Sequence, residues 1–233
     1  MAALEVRNLS KSYGGVRALA GVSFDVAAGE MIALIGPNGA GKTTCFNLLN
    51  GQIDADSGEV LLEGATLLGR RPHQVARLGV GRTFQVATTF GSMTVRENVQ
   101  VALNACAHQG EIGTILARVG MTGQDHAVCA TLAYGELKRV ELAMVLAQRP
   151  KLLLMDEPTA GMAPEERDAL MALAADLARS ENIAVLFTEH DMDAVFGFAN
   201  RVIALHLGEL IAEGPPDEVR FNAKLREVYL GDA

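Results

Sequence analysis

The most constraining feature of the sequence is a glycine-rich loop that follows five consecutive apolar residues. The apolar run at 31–35 has the composition of a buried parallel strand. Residues 36–43, GPNGAGKT, fit the pattern G-x-x-x-x-G-K-[ST], and residues at helical spacing follow them. A strand, a glycine loop and a helix in this order let backbone N–H groups and the helix N-terminus surround phosphate oxygens. We therefore expect the loop to bind a nucleoside triphosphate.

The loop supplies two side chains with distinct chemical tasks. Lys42 would bring its charge to the β- and γ-phosphates, and the Thr43 hydroxyl would ligate Mg²⁺. A glycine-rich turn without a ligand is the alternative, and the flanking strand and helix argue against it. The nucleotide-binding residues predicted here are Gly36, Pro37, Asn38, Gly39, Ala40, Gly41, Lys42, Thr43 and Thr44.

Two adjacent carboxylates follow a second apolar run, residues 152–155. A hydrophobic strand that ends in an acid is typical of the element that holds Mg²⁺ beside a phosphate loop, which is the role predicted for Asp156. Glu157, one residue further, would polarise a water molecule in line with the γ-phosphate. The alternative is that both acids cap the next helix, but caps do not usually follow four buried apolar residues. The pair favours ATP hydrolysis with Mg²⁺.

Composition limits the classes of partner. The chain has 233 residues, 28 acidic against 20 basic, and a net charge of −8. Proteins that coat nucleic acid are usually basic, so no nucleic-acid partner is expected. Cys45, Cys106 and Cys129 lack C-x-x-C spacing, which predicts reduced thiols and no zinc site. No uncharged apolar stretch approaches the ~20 residues of a membrane span, so a membrane role would require a partner.

The remaining pattern predicts an α/β chain with a helical insertion. Alternating apolar residues at 22–26 indicate a strand near the start of the chain, and residues 95–128 show helical spacing without a strand pattern. Apolar runs at 184–187 and 202–205 predict further buried strands after the one at 152–155.

Other motifs lie between the phosphate loop and the carboxylate pair, and after that pair. Their order is the one found in ABC ATPases, and the chain resembles that family along essentially its whole length. Residues 82–85, RTFQ, resemble the Q-loop. Residues 132–136, LAYGE, occupy the place of the LSGGQ signature. Residues 159–163 lie where the D-loop belongs, and His190 is at the position of the switch histidine.

The resemblance implies roles for these residues. Gln85 would contact Mg²⁺ and the attacking water, and Tyr13 would stack on adenine. The catalytic set is then Glu157, His190, Gln85 and Lys42. The metal ligands are Thr43, Gln85 and Asp156. The residues that would cap the γ-phosphate bound by a second protomer are Ala133, Tyr134, Gly135 and Glu136.

The resemblance also implies a fold and its organisation. The fold is a P-loop NTPase core with a mostly parallel sheet, an N-terminal antiparallel β subdomain and an inserted α-helical subdomain. Residues 1–233 would form a single ABC ATPase domain. Residues 1–84 and 150–233 would form the RecA-like core with the β subdomain. Residues from about 85 to 149 would form the helical subdomain with the Q-loop and the signature.

The signature departs from the general pattern in a way that points to a subgroup. Ala133 replaces serine, Tyr134 replaces glycine and Glu136 replaces glutamine. Losing one hydroxyl contact typically costs ~0.5–1.5 kcal/mol, too little to imply an inactive site. The LAYG form recurs in ATPases of branched-chain amino acid importers. GKTTCFNLLNG, RTFQ, MTVRENV, DEPTAGM and IAEGPPDEV also resemble that subgroup.

The resemblance therefore implies an ATP-hydrolysing subunit that energises import of branched-chain or other hydrophobic amino acids. The alternatives are an ABC ATPase for another cargo (urea or amide uptake, or lipopolysaccharide export) and a non-transport ABC ATPase. The implied partners are membrane permease subunits, a second ATPase protomer and, indirectly, a solute-binding protein. The implied place is the cytoplasmic face of the inner membrane. The residues leave open the substrate, the direction of transport and whether the second protomer is a copy or a sibling.

Overall fold

A computed structural model describes residues 2–230. Within this range the strands are β1 (Ala2–Tyr13), β2 (Val16–Ala27), β3 (Met31–Ile35), β4 (Ser57–Leu62), β5 (Ala65–Thr66), β6 (Val80–Thr83), β7 (Leu152–Asp156), β8 (Ala184–Thr188), β9 (Arg201–His206) and β10 (Glu209–Gly214). The helices are α1 (Lys42–Leu49), α2 (Pro72–Leu78), α3 (Val95–Ala105), α4 (Ile112–Arg118), α5 (Tyr134–Ala147), α6 (Pro164–Glu181), α7 (Met192–Phe198), α8 (Pro216–Arg220) and α9 (Ala223–Leu230).

The strands form two sheets of different character. One sheet has the order β2-β1-β4-β5 and is antiparallel. The other has the order β10-β9-β3-β8-β7-β6, and its neighbours are parallel except for β9 and β10. Helices α3, α4 and α5 lie between β6 and β7 in the chain. These features confirm the predicted α/β fold class, whereas the exact borders of the subdomains stay a prediction.

Strand β3 shows why the parallel sheet has continuous apolar runs. All five of its residues are buried. Met31, Ala33 and Ile35 belong to the apolar core that includes residues of α5 and α6. Ile32 and Leu34 belong to a second core, which includes residues of α1 and of the antiparallel sheet. Because both faces are covered, the alternation of a half-exposed strand is absent, and the loop after Ile35 lies at the carboxyl edge of the sheet.

The structure differs from the sequence expectation in the helical insertion. Helical spacing was expected over 95–128, but the chain from 119 to 128 lacks a regular helix. Backbone N–H groups at the start of α3 bind this segment, with Val95 N to Ala127 O and Arg96 N to Asp125 O both at 2.9 Å. Within residues 2–230, no helix combines the length and apolar character needed to cross a bilayer.

Candidate functional site

The glycine loop and Glu157, the residue after β7, border one cavity of about 270 Å³. The loop follows β3, and α1 begins at Lys42, so the first turn of the helix faces the cavity. The Thr43 side chain is exposed there. The residues around the cavity are Tyr13, Ala18, Asn38, Gly39, Ala40, Gly41, Lys42, Thr43, Thr44, Glu157 and His190. Predicted phosphate-binding residues and three of the four predicted catalytic residues, Lys42, Glu157 and His190, therefore border one cavity, whereas Gln85 does not.

The side chain of Lys42 is hydrogen-bonded to the glycine loop. Its Nζ donates hydrogen bonds to the carbonyl oxygens of Gly36 and Pro37, the latter at 3.2 Å. Burial lowers the pKa of Lys42 below its ordinary value, and the charges of Glu157 and Asp156 oppose that shift. The ammonium group thus lies against the loop, where a bound anion would offset the energetic cost of burying its charge.

Glu157 lies at the meeting point of three segments. Its backbone has φ 46°, and its N–H donates to the carbonyl oxygen and the hydroxyl of Thr188, each at 3.1 Å. Its Oε2 accepts a hydrogen bond from Gln85 Nε2 at 2.9 Å. Its Oε1 lies 3.0 Å from His190 Nε2, and because the carboxylate accepts, the ring nitrogen donates. The structure therefore brings the predicted Glu157, Gln85 and His190 together.

Asp156 is held by two neighbours, Thr188 and Arg82, to which the sequence motifs assign no role. Its Oδ1 accepts from the Thr188 hydroxyl at 2.9 Å, and its Oδ2 pairs with Arg82 at 3.0 Å. The guanidinium of Arg82 lies 5.8 Å from the centroid of the Phe46 ring and 5.0 Å from that of Phe84. Arg82 thereby links the end of β6, helix α1 and the end of β7. Its partner lies 74 positions away in the chain, so no local sequence pattern reveals this role.

A second buried carboxylate, Glu189, was also missed. Its side chain is 5% exposed, and its Oε1 accepts from the backbone N–H and the hydroxyl of Thr159, at 2.9 and 2.6 Å. This contact joins the predicted D-loop to the residue before His190. The partners lie 30 positions apart, so no local pattern reveals the pair.

Tyr13 and the signature residues lie in different places. Tyr13 is 48% exposed at the phosphate cavity, with Lys11 Nζ 5.6 Å from its ring centroid. Ala133 precedes α5, and its N–H donates to Glu136 Oε2 at 3.0 Å. Ala133, Gly135 and Glu136 border another cavity, together with residues of α6. In a single protomer the phosphate cavity and the signature are therefore separate surfaces.

Tyr134 contacts the predicted Q-loop instead. Its hydroxyl donates a hydrogen bond to the Gln85 carbonyl oxygen at 2.8 Å. The side chain that replaces the signature glycine thus reaches the residue whose amide contacts Glu157. Among residues 2–230, no three His, Cys, Asp or Glu side chains form a cluster suited to binding a metal.

Comparison with known families gives a match to one family model. Residues 19–160 match the model described as ABC transporter, which spans the phosphate loop, the signature and the carboxylate pair. This match covers more than half of the chain.

Curated relatives match almost end to end. The chain is 37% identical to the high-affinity branched-chain amino acid transport ATP-binding protein BraF of Pseudomonas aeruginosa, covering 99% of this chain and 98% of BraF. It is 36% identical to the corresponding protein LivG of Escherichia coli K12, with the same coverage.

Solved structures match at the level of the whole fold. The ADP conformation of MJ1267, an ATP-binding cassette of an ABC transporter, is 30% identical and superposes with a TM-score of 0.90 over 100% of both chains. CbiO1 of Clostridium perfringens, part of the ABC transporter complex cbiONQ, is 30% identical with a TM-score of 0.86, covering 99% of this chain and 95% of CbiO1.

Proposed function

The chain belongs to the ABC transporter family as one of its ATP-binding, ATP-hydrolysing subunits, and from that premise we propose that it energises an importer of branched-chain or other hydrophobic amino acids. The observation that supports ATP hydrolysis is the contact of Glu157 with both Gln85 and His190 beside the phosphate cavity. We propose this cargo because BraF and LivG, which match along almost their full length, are named as branched-chain amino acid transport proteins.

In the proposed mechanism, the loop and α1 hold the phosphates through backbone N–H groups, the helix N-terminus and Lys42. Tyr13 packs against adenine at the cavity rim. Glu157 accepts a proton from the attacking water as general base. Gln85 and His190 orient the two carboxylate oxygens of Glu157, so that the base keeps one position relative to the γ-phosphate.

The residues beside the loop fit a magnesium ion, which prefers hard oxygen ligands. Asp156 ends β7 with its side chain 22% exposed, and Thr43 exposes a hydroxyl in the cavity. We propose Thr43, Asp156 and the amide oxygen of Gln85 as its ligands, since Gln85 uses its nitrogen for Glu157. The bound ion would neutralise charge on the phosphates during transfer.

A second ATPase protomer would complete the site. The residues from Ala133 to Glu136 form the start of α5 and its preceding turn. The N–H groups of the first helical turn, from Tyr134 to Glu136, favour an anion. Because these residues are apart from the phosphate cavity of their own chain, we propose that they cap the γ-phosphate bound by a partner, either a copy or a sibling. Hydrolysis removes that bridge and lets the pair open.

Permease subunits are the proposed membrane partners, docking beside the Q-loop. Val86 and Phe90 follow Gln85 and are 71% and 49% exposed, so they offer apolar area for a contact at this place. An apolar surface next to the residue that contacts Glu157 is suited to transmitting the nucleotide state to a membrane subunit. The protein would then act at the cytoplasmic face of the inner membrane, with a solute-binding protein delivering cargo to the permease.

The test is affinity purification of the tagged chain from its native membrane in mild detergent, with partners identified by mass spectrometry. We expect two multi-span permeases, a second ATPase and a solute-binding protein that binds leucine, isoleucine or valine. Binding of urea or an amide by that protein would change the cargo. Recovery of an export complex, or of soluble partners alone, would contradict the importer assignment and leave the ATPase assignment intact.

A further inference from the structure

Residues 84–88 after β6, which include Gln85, form no strand or helix. Backbone N–H and C=O groups in such a segment need partners outside regular secondary structure. Several of these partners are side chains of α5 between Tyr134 and Glu141, and this helix begins at the signature. The segment is therefore fastened to α5 by specific side chains.

Glu141 and Lys138 make most of these bonds. Glu141 Oε1 accepts from the backbone N–H groups of Phe84 and Thr88, both at 3.2 Å, and from the Thr88 hydroxyl at 2.9 Å. Lys138 Nζ donates to the Phe84 carbonyl oxygen and lies 3.4 Å from Glu141 Oε2. Tyr134 adds its bond to the Gln85 carbonyl oxygen. The backbone is therefore bonded to α5 on both sides of Gln85, at Phe84 and Thr88, and also at the Gln85 carbonyl oxygen.

The burial of this ion pair argues against a role in stability alone. The side chains of Lys138 and Glu141 are 2% and 3% exposed. Removing two charges from water is unfavourable, and a well-packed apolar pair is often as stable as a buried ion pair or more so. What an apolar pair cannot do is bind the backbone polar groups of the segment. The pair therefore fits a role in fixing the position of that backbone.

We propose that Lys138 and Glu141 are positioning residues, which hold the backbone around Gln85 on α5 so that the Gln85 amide meets Glu157. The chain leaves the parallel sheet after Thr83, so the bonds to α5 help to determine where Gln85 lies. Neither side chain borders the phosphate cavity, and both act through Gln85. This inference rests on the proposed role of Glu157 as general base.

The test is a double-mutant cycle on the ATPase activity of the full-length chain. The variant Lys138→Met/Glu141→Leu removes both charges together and keeps apolar bulk, and Glu141→Gln is a milder change that keeps one acceptor. We expect kcat to fall at least about fivefold for the double substitution, the size of one lost hydrogen bond, with KM for ATP within about twofold of wild type. In a Gln85→Ala background, the same substitution should lower kcat less than about twofold, because the amide side chain that the pair positions is already gone.

Asn98→Ala is the matched control. Asn98 is fully buried in α3, and its side chain binds the backbone of Phe90 rather than that of residues 84–88. Its effect on kcat should be the same with and without Gln85. The inference is overturned if the loss caused by the Lys138/Glu141 change is equal in both backgrounds, or if Gln85→Ala leaves kcat unaltered. It is also overturned if Asn98→Ala shows the same dependence on Gln85. Should the double substitution fail to fold, the cycle is run with Glu141→Gln. A smaller loss of kcat is then expected, and only in the protein that retains Gln85. Full activity of a Glu157→Gln variant would instead refute the underlying role of Glu157.

Discussion

Two glycines of the phosphate loop provide a matched pair for testing the loop geometry. Both have positive φ, 80° at Gly39 and 109° at Gly41. A Cβ at Gly39 would have no heavy atom within 4 Å. A Cβ at Gly41 would lie 2.4 Å from the Ala18 carbonyl oxygen and 2.8 Å from Leu19 Cδ2. The same substitution therefore adds strain alone at one position, and strain with collision at the other.

The expected costs follow from these distances. Gly39→Ala should lower the free energy of unfolding by about 1 kcal/mol, the strain of a left-handed backbone less the entropy removed from the unfolded chain. At Gly41 the new methyl group is 1 Å inside the 3.4 Å limit of ordinary contact with a backbone atom, which cannot rotate away. Overpacking adds about 1–3 kcal/mol to the strain, so Gly41→Ala should cost about 2–4 kcal/mol in total.

The assay is urea unfolding of the nucleotide-free protein, followed by far-ultraviolet circular dichroism because the chain contains no tryptophan. The loss of unfolding free energy is expected to be at least about 1 kcal/mol larger for Gly41→Ala than for Gly39→Ala. Equal losses in the two variants, or a larger loss for Gly39→Ala, would refute the claim that close backbone approach fixes the loop.

Three further predictions concern residues around the site. Burial raises the pKa of Cys45 from 9.0 to about 12. Iodoacetamide at pH 9 should therefore modify Cys106 before Cys45 in the native protein, and peptide mass mapping would show the order of modification. Because the unfolded thiol ionises first, the unfolding free energy should fall as pH rises across that interval, by up to about 1.4 kcal/mol per pH unit, and Cys45→Ala should remove this contribution. Arg82→Ala should destabilise the fold by about 3 kcal/mol, because it leaves the carboxylate of Asp156 without its charged partner, and a loss under about 1 kcal/mol in urea unfolding would count against that pairing. Phe90→Asp should reduce recovery of permease subunits in the affinity purification with an unchanged unfolding midpoint, and undiminished recovery would argue against docking at this surface.

Sequence patterns identified the elements whose residues are buried on both faces. Strands β3 and β7 appear in the sequence as uninterrupted apolar runs because helices or a second sheet cover each side. Strand β6 was not anticipated, because it contains Gly81 and Arg82. Gly81 is required by close packing, since a Cβ there would be 2.3 Å from Val145 Cγ1. Tertiary context, not strand propensity, determines that element.

The candidate site was predictable where its residues belong to contiguous motifs. The order of the motifs pointed to Glu157, Gln85 and His190, and the structure brings these side chains into contact. Their catalytic roles remain proposals. Arg82 and Asp156 lie 74 positions apart, and neither residue alone indicates the pair. The ion pair of α5 was equally hidden, because its targets are backbone atoms, which leave no mark in the sequence.

The central claim is that Glu157 activates water for ATP hydrolysis, and the most direct measurement compares the ATPase rate and ATP affinity of Glu157→Gln with those of wild type. The amide keeps the shape of the side chain but cannot accept the proton, so kcat should fall by at least about 100-fold while ATP still binds with nearly wild-type affinity. Lys42→Ala serves as the control, because it should lose ATP binding itself. A Glu157→Gln variant that turns over ATP at close to the wild-type rate would contradict the account.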